Sequence, residues 1–264
     1  MLLRRIREHA GKHNWFAVAI DLAIVVLGVF LGMQVTNWNE ARLDHDKGEA
    51  YRARIVTDLA SNVRDLEARA GYYRSVKHFA EETLADLDGE KRLSDAQFLI
   101  DAYQATQIYP RPVSRFTYDE MMAVGALDTI ANVDERERIS NYYISVETSE
   151  VSFKGVMPYR DAARRAIPYR VQQRIRTQCA ESLEIEHAGL GLLSLPEHCD
   201  LGLSAAELGR AAARVRATPG LELDLTRHLA DLDQKLIQVE RLKQRAERLS
   251  AEMTGRPIPS QGTN

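Results

Sequence analysis

The chain has 264 residues, 45% of them hydrophobic and 28% charged, with a formal net charge of −3. That is globular composition, which excludes a disordered or fibrous chain. No block is strongly basic, which argues against a nucleic-acid partner. Prolines are few, and Ala, Leu, Arg and Glu are abundant, so helices are favoured.

Residues 1–14 read as a basic stub, with Arg4, Arg5, Arg7 and Lys12 against Glu8. Trp15 to Val35 then reads WFAVAIDLAIVVLGVFLGMQV. At 1.5 Å per residue its length is about 31 Å, close to the hydrocarbon thickness of a bilayer, so 15–35 is a predicted transmembrane helix. No small-x-small cleavage site follows it, which favours an uncleaved signal-anchor. Trp15 and Trp38 bracket the span as membrane-interface anchors, because indoles prefer the headgroup level. Arg42 and Lys47 follow the span against Glu40, Asp44, Asp46 and Glu49. The cation bias therefore predicts a cytoplasmic N-terminus and a periplasmic domain over 36–254, held at a bacterial inner membrane.

Asp21 is the only ionisable residue in the span. A carboxylate at such depth costs about 2.5–3.5 kcal/mol on insertion scales, which makes it a candidate contact with another membrane helix. The alternative is a hydrated carboxylate near the headgroups.

The run from Asp21 through the exit Gln34-Val35-Thr36-Asn37-Trp38-Asn39-Glu40 resembles a bacterial family of single-span membrane proteins. That family has an acidic residue, an apolar span containing a glycine, and a Gln-x-x-Asn-Trp-Asn-Glu exit. Asp21 stands where the family more often has Glu. A second stretch is also similar, Thr117-Tyr118-Asp119-Glu120-Met121 followed by Gly125-Ala126-Leu127-Asp128-Thr129-Ile130. The resemblance implies a single span and carries no activity with it.

Beyond the span, apolar or small residues recur at Tyr51, Ile55, Leu59, Val63, Leu66, Ala70, Tyr73, Val76, Ala80, Leu84 and Leu87. The mean step of about 3.6 is that of a straight helix. A break is expected near Gly48 or Gly71, and Gly89 ends the helix. Ser94-Asp95-Ala96-Gln97 and Thr117-Tyr118-Asp119-Glu120 read as capping boxes opening short helices. Gly125 closes the second of these. From Val133 to about Ser182 the pattern is helical, kinked or split at Pro158 and Pro168. Residues 183–203 read as a loop between Cys179 and Cys199. Ser204-Ala205-Ala206-Glu207 is a third capping box, and Pro219-Gly220 a turn.

The last helix is expected from about Asp224 to Met253. Its stripe is Leu225, Leu229, Leu232, Leu236, Val239, Leu242, Ala246, Leu249 and Met253, with a mean step of about 3.5. That stripe is either the core of an intramolecular bundle or a dimer seam. Residues 255–264 read as a disordered tail. No segment alternates well enough for a sheet. The expected fold is all-α, a transmembrane helix followed by an elongated helical bundle with long, partly coiled-coil-like helices.

Cys179 and Cys199 would close a loop of about 21 residues if bonded, a contribution of roughly 3 kcal/mol in the loop-entropy model. Two unrelated buried thiols are the alternative. Glu184-x-x-His187 offers one helical pair, whereas a di-iron bundle requires two. Cys179, His187, His198 and Cys199 lack the spacing of a compact zinc module. Gly189-Leu190-Gly191 lacks the third glycine and the preceding strand of a dinucleotide loop. No catalytic motif, cofactor or metal is predicted. The expected role is non-enzymatic: a scaffold or accessory subunit of a membrane complex. Its expected partners are the lipid bilayer and either another protein or a second copy, met through the span or the C-terminal helix. A periplasmic sensory module binding a small ligand is the alternative.

Overall fold

A computed structural model describes residues 15–185 and 191–257. The stub, most of the tail and the segment holding His187 and Gly189 lie outside the described residues. Helices account for 77% of the structure, so the class is all-α as expected.

The first helix, α1 (Trp15–Leu87), runs without interruption through the apolar segment and into the bundle. At 1.5 Å per residue it is about 110 Å long. The break expected at Gly48 or Gly71 does not occur. Gly71 is solvent-exposed, where the loss of helix propensity is small beside the packing of its neighbours. Gly48 has a packing role described below. The apolar stripe from Tyr51 to Leu87 faces the core as predicted, with Ile55, Leu59, Leu66 and Val76 fully buried.

Three short helices follow, α2 (Asp95–Gln104), α3 (Phe116–Ala123) and a 3-10 turn (Leu127–Thr129). Ser94 caps α2 by accepting from the Gln97 N–H. The Gln97 side chain turns instead to Asp101 and the Glu197 carbonyl, so only half of that capping box forms. The box at Thr117 does not form at all. Thr117 lies inside α3, and its N–H donates to Asp58 on α1, a tertiary acceptor that replaces the local one. Gly125 has a left-handed backbone (φ 64°), and the Ala126 N–H donates to the Met121 carbonyl, which closes α3 as predicted.

Pro158 and Pro168 split the next stretch into α4 (Val133–Phe153), α5 (Pro158–Ala166) and α6 (Tyr169–Gln178). The expected loop between the cysteines is instead a two-stranded hairpin. Strand β1 (Ser182–Ile185) pairs antiparallel with β2 (Gly191–Ser194), Ser182 lying opposite Ser194. Four residues per strand are too few for alternation to be visible in the sequence. Helix α7 (Ala205–Arg216) opens with the predicted capping box, complete in both directions.

The last helix, α8 (Leu221–Thr254), starts three residues earlier than expected, directly after left-handed Gly220. It lies antiparallel against the outer half of α1. Lys77 pairs with Asp233 at 2.6 Å, Lys243 with Glu67 at 3.7 Å, and Arg52 reaches the Met253 carbonyl. Its buried seam is Leu221, Leu225, His228, Leu232, Lys235, Val239, Leu242, Ala246, Leu249 and Met253, with Ala251 buried beside it. These alternate in steps of three and four, the regular seam of a coiled coil. The irregularity in the sequence-derived stripe came from assigning Leu229 and Leu236, which are only partly buried, to positions that His228 and Lys235 occupy. This stripe is consumed inside the bundle, where α1, α4 and α5 cover it.

Candidate functional site

The helix α1 has two unlike halves. From Ala19 to Lys47 every residue is exposed. Leu22, Val25, Phe30 and Val35 are each more than half exposed, and the apolar window has a mean hydropathy of 2.1. Among the described residues this is the one helix long and apolar enough to cross a membrane. So large a contiguous apolar surface is rare on soluble monomers. Its properties are those of a membrane span or a signal anchor.

Trp15 begins the helix, although its side chain lies outside the described residues. Asp21 sits among exposed apolar residues and forms no hydrogen bond or ion pair among the described residues. Trp38 is 67% exposed at the far end of the apolar segment. The predicted sites therefore line one helix rather than converge on a pocket.

At about 100° per residue, Asp21, Val25, Gly28, Gly32, Thr36, Asn39 and Leu43 fall on one face of α1. The same face continues through Asp46, Ala50, Ala53, Thr57 and Ala60, all exposed. The buried stripe led by Tyr51, Ile55 and Leu59 lies on the opposite side. A Cβ added at Gly28 or Gly32 would meet nothing within 4 Å. The Thr36 hydroxyl donates to the Gly32 carbonyl at 3.1 Å, so it is satisfied within the helix. The Gly28-x-x-x-Gly32 spacing was readable in the sequence but not singled out; such a pair inside an apolar span marks a close-packing helix face.

The bundle begins at Gly48. A Cβ there would overlap the Thr129 carbonyl oxygen, so only glycine lets the 3-10 turn approach α1. Just above, the Tyr51 hydroxyl donates to Glu120 at 3.0 Å, and Arg54 Nη1 donates to the same carboxylate at 3.0 Å. The Arg54 and Tyr51 donors hold the Glu120 carboxyl below its ordinary range. Arg52 Nε pairs with Glu135 at 2.7 Å and also reaches the last turn of α8, where a cation offsets the helix dipole. The stretch from Thr117 to Ile130 thus forms the collar around the point where α1 enters the domain.

Deeper in, Arg69 is 1% exposed and ties three segments together. It lies 3.6 Å from Asp65 and 3.5 Å from Glu150, with its guanidinium over the rings of Tyr109 and Phe153. The Tyr109 hydroxyl donates to Asp65 at 2.9 Å. Burial raises the Asp65 pKa, and the Arg69 charge opposes that rise. The arrangement is a buried ion-pair network in which Asp65 Oδ2 and Arg69 Nε have no hydrogen-bond partner among the described residues.

Cys179 and Cys199 form a disulfide, with Cα atoms 5.7 Å apart. It clamps the chain at the base of the β-hairpin. With both thiols in that bond, neither is a thiolate ligand for zinc. His198, beside the disulfide, contacts Gln97 at 2.7 Å, and Gln97 in turn donates to buried Asp101. Burial raises the Asp101 pKa to about 6. No group of three or more potential metal ligands occurs among the described residues.

No family model matches the chain, and no curated protein or solved structure is significantly similar to it.

Proposed function

We propose that this chain is a non-enzymatic, single-pass protein of a bacterial inner membrane that dimerises along the outer face of α1 and holds its bundle in the periplasm as an interaction module. In this reading it is a scaffold or accessory subunit of a membrane complex. The observation that carries it is the division of labour around α1. One side is buried in the bundle, while the opposite side from Gly28 to Ala60 is exposed and mostly small, with Leu43 and Asp46 between the glycine pair and the alanines. Small residues let two helix backbones approach closely within lipid, where packing rather than hydrophobicity drives association. Asp21 lies on the same face, and apposition of two copies gives it a polar neighbour in place of hydrocarbon. Because the seam points away from each bundle, two copies meet without the domains colliding. The other candidate for self-association, the stripe of α8, is already occupied within the chain.

The orientation rests on the surplus of Lys and Arg before the span, and the Cys179–Cys199 pair suits an oxidising compartment.

Two measurements test this reading. Gly32→Ile and Asp21→Leu should each lower the dimer fraction read by in-membrane cross-linking of Ala53→Cys, leaving the melting of the bundle unchanged. Phe30→Cys, on the bundle side of the helix, should not cross-link. Dimer recovery indifferent to both substitutions sinks the seam. Labelling of Cys179 and Cys199 in intact cells by a membrane-impermeant thiol reagent should occur only after reduction. Labelling that requires lysis reverses the orientation.

A further inference from the structure

Helices α4 and α8 run antiparallel in a definite register. Arg138 pairs with Glu252, Arg245 donates to the Ser145 hydroxyl, and Gln238 donates to the Ser152 hydroxyl at 3.4 Å. Two cavities of about 310 and 420 Å³ open along this line. Arg245 lines both, so they form one groove. From the level of Gln238 to that of Glu252 it runs about 21 Å at 1.5 Å per residue.

The two walls differ in charge. The α8 wall carries Arg241, Arg245 and Arg248, all exposed and on one helix face. None of the three forms an ion pair among the described residues, and Arg241 and Arg248 form no hydrogen bond there either. The nearby acids are engaged elsewhere. Glu147 lies 3.1 Å from Arg115, Glu150 3.5 Å from Arg69, and Glu240 3.4 Å from Lys243. Glu252 is the one carboxylate among the described lining residues, and Arg138 holds it at 3.1 Å. The α4 wall opposite is neutral and rich in hydroxyls. Ser145 and Thr148 donate back to carbonyls of their own helix. Ser152 only accepts, and Ser149 makes no side-chain hydrogen bond among the described residues, so both keep a free donor. A chain of net charge −3 thus gathers three uncompensated guanidinium groups along one groove.

We propose that this groove docks an extended acidic segment of a protein partner, with carboxylates at alternate residues. The proposal rests on the reading of the bundle as an interaction module, whose partner chemistry it names, and not on the α1 seam. Alternate side chains of an extended strand share a face about 6.6 Å apart. Along α8, Arg241 and Arg245 are about 6 Å apart and Arg245 and Arg248 about 4.5 Å. Three carboxylates at alternate positions therefore each meet a guanidinium, whose fork of donors matches a carboxylate. Ser149 and Ser152 answer backbone carbonyls of the segment. A groove of this length holds about six extended residues. Lipid headgroups fit less well. Arg52 reaches the Met253 carbonyl, which puts the near end of the groove about 25 Å beyond Val35, past the headgroup layer.

Fluorescence anisotropy tests the groove, with the full chain in detergent micelles at low salt titrated into labelled Ser-Glu-Ser-Glu-Ser-Glu-Ser. Binding should saturate with a Kd below about 100 µM and weaken at least about tenfold when Gln replaces each Glu of the peptide. The double variant Arg241→Gln and Arg245→Gln, both exposed, should melt like the parent and weaken binding at least about fivefold. Arg170→Gln with Arg210→Gln, exposed on α6 and α7, removes the same charge elsewhere and should leave the affinity unchanged. Arg241→Glu with Arg245→Glu should transfer the preference to the peptide with Lys in place of Glu. Lack of saturable binding, equal weakening by the two Gln pairs, or displacement of the peptide by an equal concentration of inorganic triphosphate would each overturn the proposal. A dimer fraction lowered by the Arg241 and Arg245 pair would overturn it in favour of a second copy as the occupant. The Ala53→Cys cross-linking is read independently of the peptide, so the seam and the groove can fail separately.

Discussion

The two halves of α1 share one backbone and follow opposite rules. From Ala19 to Lys47 the helix is bare on all sides; from Gly48 onward one stripe is fully buried. Their glycines make the contrast sharpest. Gly28 and Gly32 border open space, whereas Gly48 is pressed against the Thr129 carbonyl. In the bare half, glycine shapes a surface. At Gly48 it admits a neighbouring backbone. One residue type in one helix thus has a surface role or a packing role, and only the surroundings distinguish them.

That contrast breaks most severely at Arg69. Arg69→Ala strands the buried Asp65 with only the Tyr109 hydroxyl as a partner, and breaking a buried pair in this way costs about 3–5 kcal/mol. Denaturant unfolding of the full chain in micelles should record that loss. The apolar half of α1 should remain helical, since none of its residues contacts the network.

Gly48→Ala is next, a loss of about 1–3 kcal/mol from overpacking against a backbone atom that cannot step aside. Gly71→Ala in the same helix should have the opposite sign, a gain of about 0.5–1 kcal/mol, because its Cβ meets nothing and alanine is the better helix former. Thermal melts of the two variants side by side give the comparison, and equal shifts would erase the distinction between packed and bare positions.

In the parent protein the smallest net change is with pH, because two opposing slopes cancel. Burial, partly offset by the Gln97 donor, raises Asp101 from 3.8 to about 6, so between these values the folded state binds the extra proton and stability falls as pH rises. Burial lowers His228 from 6.5 to about 4. There the unfolded state binds the extra proton, and stability falls as pH drops through that window. The two opposing slopes overlap between about pH 4 and 6 and largely cancel. Asp101→Asn removes one of them, so the variant should lose about 2 kcal/mol more than the parent on acidification from pH 7 to 4. A parallel pH profile for parent and variant would refute the assignment of Asp101.

Much of this architecture was legible without coordinates because it rests on local rules. Ser204 and Glu207 cap α7 as their spacing predicts, and Pro158 and Pro168 divide the chain where their missing donors require. Thr117 fails for a reason the local sequence does not contain, since the acceptor its N–H takes is Asp58, far away in the chain. The hairpin fails because its strands are too short to display a period. The α8 seam is read correctly except at Leu229 and Leu236, where hydrophobicity assigns leucines to the core and tertiary packing buries His228 and the stem of Lys235 instead.

By itself, then, the sequence determined the length and apolarity of the exposed apolar segment, the helical class, and the punctuation of the bundle. These follow from periodicity, hydropathy and backbone chemistry within a few residues. The tertiary structure alone decided that α1 runs unbroken past Gly48 and Gly71, that its mostly small face points away from the bundle, and that the stem of Lys235 rather than Leu236 fills the α8 seam. Each of those depends on which distant segment fills the space next to a residue, and that is a property of packing in three dimensions.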